Sequence, residues 1–110
     1  MRQDLTVLIQ RLYAAGFRYI VCRCGREYQR DTGNISEHVC PEFNGEKIVL
    51  VYTKVKFPLS PDSETLKLIG EVDLSLNPLN PDGEQILKRI DHVGYEPPAN
   101  RKTISKKTGS

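Results

Sequence analysis

The chain has 110 residues, 38% hydrophobic and 27% charged, with a formal net charge of +2, which is the balance of one globular domain with a modest core. Its longest apolar run, Ile48-Val49-Leu50-Val51-Tyr52, is far too short to cross a membrane. Met1-Arg2-Gln3-Asp4 does not open a secretory signal, and three cysteines cannot all pair within one chain.

The expected location is therefore the cytoplasm, where disulfides are rare. The charge is unevenly spread. Residues 1–40 carry six basic and four acidic side chains, residues 41–100 six and ten, and residues 101–110 four and none. An acidic middle lies between two basic ends.

Residues 3–15 are predicted to form a helix, because Leu5, Leu8, Ile9, Leu12 and Ala15 recur at helical spacing. Gly16 supplies the usual left-handed stop, and Phe17 can fold back onto the last turn. Residues 17–24 change to strand chemistry with Tyr19, Ile20 and Val21. Asp31-Thr32-Gly33-Asn34 marks a turn, so residues 26–30 and 35–39 read as the arms of a short hairpin. Pro41 and Gly45 then break regularity.

Lys47 to Phe57 is the strongest predicted strand. Ile48, Leu50 and Tyr52 lie on one face and Val49, Val51 and Val55 on the other, the pattern of an interior strand. Leu66 to Leu76 alternates cleanly, with Leu66, Leu68, Val72, Leu74 and Leu76 on one face. A second helix is expected over residues 83–93, with Asp82 as N-cap, Gln85 completing a capping box and Ile86, Leu87, Ile90 and Val93 as its apolar stripe. Gly94 and Tyr95 repeat the ending of Gly16 and Phe17. Shared helix-ending grammar explains this likeness more simply than a duplication.

The expected fold is α+β: a small two-layer domain with a three-stranded antiparallel sheet packed by N- and C-terminal helices. A zinc-ribbon-like hairpin is inserted after the first strand. Residues 1–98 form the single zinc-stabilised domain, and residues 99–110 a disordered basic tail.

Cys22, Cys24, His38 and Cys40 are the candidate metal ligands. They form Cys22-x-Cys24, thirteen residues, then His38-x-Cys40, and thiolate with imidazole suits tetrahedral zinc. Closing the predicted hairpin would bring the two pairs together. With Gly25 and Pro41 beside ligands, the pattern resembles zinc ribbons and zinc knuckles over residues 22–40. It departs from them in using Cys-x-Cys rather than C-x-x-C. Four protein ligands would leave no open position, so the implied cofactor is structural zinc. Three ordinary cysteines with an exposed histidine, or an iron–sulfur centre, are the alternatives.

Arg26, Tyr28 and Arg30 alternate along the first hairpin arm and share a face, with Arg18 and Arg23 nearby. Arginine with an interleaved aromatic can pair phosphates and stack on a base. The plainer reading is a solvated arm, since Glu27 and Asp31 dilute the positive field. Lys54 and Lys56 could extend the surface, as could the tail Arg101-Lys102-Thr103-Ile104-Ser105-Lys106-Lys107.

No Walker loop, G-x-S-x-G or H-E-x-x-H is present. His92 near the end of the second helix lacks an evident catalytic partner, and Glu37, Glu42 and Glu46 are only acids near a loop. A helix ending in Gly-aromatic, three strands and a helix ending in Gly resembles the small double-stranded-RNA-binding fold of a class of mRNA interferase toxins. Their Gly-Ser-His-His stretch has no counterpart here, which argues against that catalysis.

The expected function is a non-catalytic, zinc-stabilised regulatory module that binds RNA or DNA through Arg18, Arg23, Arg26, Tyr28 and Arg30. The alternative is a protein–protein adaptor or small regulatory subunit using the acidic centre, an exposed sheet edge and the Phe57-Pro58-Leu59 loop. A small nuclease or toxin relying on His92 is a third. No membrane association or small-molecule substrate is indicated.

Overall fold

The computed structural model describes residues 3–22, 25–58 and 65–95. The expected tail, 99–110, lies outside them. Helix α1 covers Gln3–Ala14, and strands β1 Arg18–Cys22, β2 Gly25–Thr32, β3 Ile35–Asn44, β4 Lys47–Lys56 and β5 Thr65–Asp73 follow before helix α2, Pro81–Asp91. The strands form one five-stranded antiparallel sheet in the order β1-β2-β3-β4-β5. Each strand pairs with its chain neighbour, as short connections favour.

The α+β class is retained, but the three-stranded sheet with an inserted hairpin is corrected. The two hairpin arms are full members of the sheet. The β2–β3 ladder runs from Tyr28↔Val39 to Thr32↔Ile35, and all ten residues of β3 pair with β4, from Ile35↔Lys56 to Asn44↔Lys47. Pro41 does not end β3. It stands opposite Leu50, beyond Val39 where the ladder to β2 stops, so its missing N–H costs no bond on that side.

Both helices cover one face of the sheet. Leu8, Leu12 and Phe17 from the α1 region and Ile86, Leu87 and Ile90 from α2 meet Tyr28, Val39, Ile48, Leu50, Tyr52 and Val72 in a single core. Cross-strand neighbours Val39↔Tyr52, Ile48↔Val72 and Tyr28↔Val39 place these sheet residues in continuous rows. Gly16 has φ 103°, and the Phe17 amide donates to the Leu12 carbonyl at 2.9 Å. The predicted helix stop therefore forms, with Phe17 folded into the core. Among the described residues, no helix is long and apolar enough to cross a membrane.

The start of α2 differs from expectation. Asn80, not Asp82, is the N-cap: its Oδ1 accepts from the Gly83 amide at 2.7 Å, and Pro81 occupies the first turn. The same oxygen accepts from the Glu71 amide at 3.3 Å, so one side chain ties β5 to the helix. Strand β5 stops at Asp73, whose carboxylate accepts from the Ser75 and Asn77 amides at 2.8 and 3.0 Å. Val93 lies beyond α2 and is exposed rather than part of its buried stripe.

Gly70 and Gly83 let α2 rest directly on β5. A Cβ at Gly70 would stand 2.4 Å from the Gly83 nitrogen, and one at Gly83 would stand 2.3 Å from the Glu71 carbonyl oxygen. Both obstacles are backbone and cannot rotate away. Gly70→Ala is therefore expected to destabilise the fold by about 1–3 kcal/mol, the usual cost of overpacking, read as a lower urea midpoint. An unchanged midpoint would show that α2 sits farther from β5.

Candidate functional site

The residues expected to build a functional surface divide between two faces of the sheet. Tyr28 and Arg30 do share a face, but that face lies under the helices. Tyr28 is 7% exposed and packs edge-on against Tyr13 and near Tyr19. Arg30 is 5% exposed. Both side chains are enclosed in the fold. Arg23 lies outside the described residues, as does the side chain of Arg26.

Arg30 instead holds the fold together. Its Nε donates to Glu37 Oε1 at 2.7 Å, one Nη donates to the carbonyls of Ala15 and Ile90 at 2.9 and 3.0 Å, and the other donates to the Arg89 carbonyl at 2.9 Å. Its guanidinium also lies 4.3 Å from the centre of the Phe17 ring. A cation thus meets the carbonyl ends of both helices, where the helix dipoles favour positive charge. Arg18 does the same on a smaller scale, donating to the Tyr13 and Phe17 carbonyls at 3.1 and 2.6 Å.

The other sheet face is open. There His38 Nδ1 lies 2.5 Å from Glu27 Oε2, and His38 Nε2 lies 3.0 Å from Ser36 Oγ. A proton on Nδ1 facing the carboxylate leaves Nε2 to accept from the Ser36 hydroxyl. Gln29 Nε2 in turn donates to Ser36 Oγ at 3.2 Å and to Asp31 Oδ1 at 2.9 Å, which holds the Asp31 carboxyl below its ordinary range. The Cys40 thiol donates to Glu27 Oε1 at 3.5 Å. Ser36 is 4% exposed, so its hydroxyl stitches β2 to β3 from an enclosed position.

This arrangement gives no support to the expected zinc-ribbon character. Among the described residues, no group of three or more His, Cys, Asp or Glu side chains is placed to hold a metal ion. Cys24 and the side chain of Cys22 lie outside the described residues. Cys22 pairs with Gly25, whereas Cys40 lies level with Glu27, in contact with its carboxylate. Cys22 and Cys40 are therefore two strands and two residues apart, about 12 Å between backbones. Both nitrogens of His38 are already engaged, and burial, with Glu27 next, pushes the Cys40 thiol up to about 11.

The open face also carries an apolar belt that the sequence reading did not single out as a site. Cys40 pairs with Val51, and Val51 with Ile69. Val49 lies beside Val51 on the same face of β4 and Val55 lies beyond Thr53, and Ile69 is 54% exposed. Alternation along β4 was the signal: Val49, Val51 and Val55 are too apolar for a solvated face. Acids predominate around the belt. Glu27, Asp31, Glu42, Glu71 and Asp73 share this face with Arg18, Lys47 and Lys67. The Arg18 head is turned back onto α1, and Lys47 lies 3.9 Å from Glu71. His92, the candidate catalytic histidine, is the exposed C-cap of α2, its amide donating to the Lys88 carbonyl.

Comparison with protein-family models, with curated proteins and with solved structures gives no match.

Two measurements check this geometry. Arg30→Met leaves Glu37 buried without its cation and is expected to cost about 3–5 kcal/mol by urea denaturation. Arg30→Met with Glu37→Met should cost less than the single change, because no unpaired charge remains; a larger loss would place the stabilisation outside the ion pair. In a C22S/C24S variant, Cys40 should react with iodoacetamide at pH 8 about a hundredfold more slowly than free cysteine, since little thiolate is present. A rate equal to free cysteine would contradict its enclosure beside Glu27.

Proposed function

We propose that the protein is a non-catalytic cytoplasmic module that binds a basic protein partner through the open face of its sheet. The observation that carries this reading is the one-sided packing. Both helices bury the same face, while the belt of Cys40, Val51 and Ile69, with Val49 and Val55 on the same face of β4, has no helix above it among the described residues. An apolar patch rimmed by polar groups is the usual mark of an interaction surface. The acids around it favour a partner with basic residues flanking an apolar centre.

Binding of RNA or DNA across this face has less support. Base stacking needs aromatic rings and phosphate contact needs free cations. Tyr28 and Arg30, assigned to those tasks from the sequence, serve the core and the helix ends. The face itself holds more acids than bases.

Ile69→Asp and Val51→Asp place a charge in the belt at positions that are not fully buried. Affinity capture from nuclease-treated extract should retain a stoichiometric protein with the wild-type chain and lose it with either variant. Ile69→Asp, at an exposed site, should leave stability within about 1 kcal/mol of wild type. Material that disappears on nuclease treatment, or that both variants retain, would overturn the reading. A self-associating chain in sedimentation would identify the partner as a second copy and remove the need for a basic one.

A further inference from the structure

On the helix-covered side, a cavity of about 160 Å³ lies where the C-terminal end of α2 meets the sheet, lined among others by Glu37, Tyr52, Lys54, Arg89, Val93 and Tyr95. Pockets for drug-sized ligands begin at roughly 300 Å³, so this one suits a fragment-sized molecule. Its polar residues gather on the sheet side and at Arg89. Val93 and Tyr95 supply apolar wall.

The distribution of charge is unequal. Glu37 is the acid in this lining, and both its oxygens are taken: Oε1 by Arg30 and Oε2 by the Tyr52 hydroxyl at 2.6 Å. Arg89 is 6% exposed, yet its Nε has no hydrogen-bond partner, and among the described residues no acid forms an ion pair with it. Its guanidinium lies 5.8 Å from the centre of the Tyr52 ring and its side chain interacts with the Tyr52 hydroxyl, which orients it while Nε stays without an acceptor. Lys54, cross-strand neighbour of Glu37, adds a second cation to the lining. Burying a guanidinium donor with no acceptor is costly, and an anion would supply the acceptor that Nε lacks.

We propose that this cavity binds a small organic carboxylate with a compact apolar body, its carboxylate seated on Arg89 and Lys54 and its body against Val93 and Tyr95. The planar edge of a guanidinium matches a carboxylate. A phosphate group would bring extra charge beside Glu37 and leave oxygens facing apolar wall. The site is separate from the open sheet face and does not depend on a protein partner there.

Titration of the isotopically labelled full chain with benzoate, followed by NMR, tests the assignment. Saturable shifts at millimolar benzoate are expected at Ile35, Val93 and Tyr95, and none on the belt at Val51 and Ile69. Benzamide, of the same shape without the charge, should bind at least about tenfold more weakly. Arg89→Met should abolish the response. Lys54→Gln, which leaves the buried arginine in place, should weaken it severalfold, so a failure of Arg89→Met to fold does not remove the test. The proposal is overturned by an absence of saturable shifts, by equal binding of benzamide, by phosphate binding as tightly as benzoate, or by shifts confined to the open face.

Discussion

Arg30 is the side chain on which the remaining architecture depends. It leaves the second strand, pairs with Glu37 on the third, and reaches the last carbonyls of both helices. Glu37 passes the constraint on to Tyr52 in the fourth strand. An ion pair of this kind adds little net stability compared with an apolar substitute, but it is intolerant of losing one member. Its main effect is geometric. The planar fork accepts one placement of the two helix ends relative to the sheet, and Phe17 stacked beside it closes the remaining space.

A second constraint fixes the opposite end of α2. Gly70 and Gly83 allow backbone to meet backbone, while Asn80 binds an amide from each element with one oxygen. The helix is thereby pinned at its start by contact too close for a side chain and at its end by a guanidinium. The bidentate pairing of Arg11 with Asp91 joins the helices at the surface. With three attachments, the helical layer is fixed on one side of the sheet.

The apolar periodicities were legible. Leu8 and Leu12, the alternation of β4 and β5, and the Gly16-Phe17 stop all point to the elements that form. What misled was polarity at core positions. Arg30 and Glu37 look like solvent residues in a strand, and only their pairing across β2 and β3 makes them interior. Once they are read as exterior, the two strands shrink to an arm, and the sheet falls from five strands to three. Residue spacing also placed Cys22 and Cys40 at the base of one hairpin, whereas Cys22 pairs with Gly25 across β1 and β2 and stands two strands from β3. The Asn80 cap was hidden because Asp82 offers the same chemistry two residues later, and only the approach of Gly83 to β5 selects between them.

The arginine clamp also imposes an order on assembly. In chain order the sheet is finished before α2 begins, yet two of the three carbonyls that Arg30 binds come from the end of that helix. A ribosome-bound chain that has released only the strands can pair each with its neighbour, but its Arg30 and Glu37 must stay hydrated and the Leu50–Tyr52 face stays uncovered. Closure is withheld until α2 emerges, so the strands gain their full protection from proteases in a single late step and not gradually during synthesis.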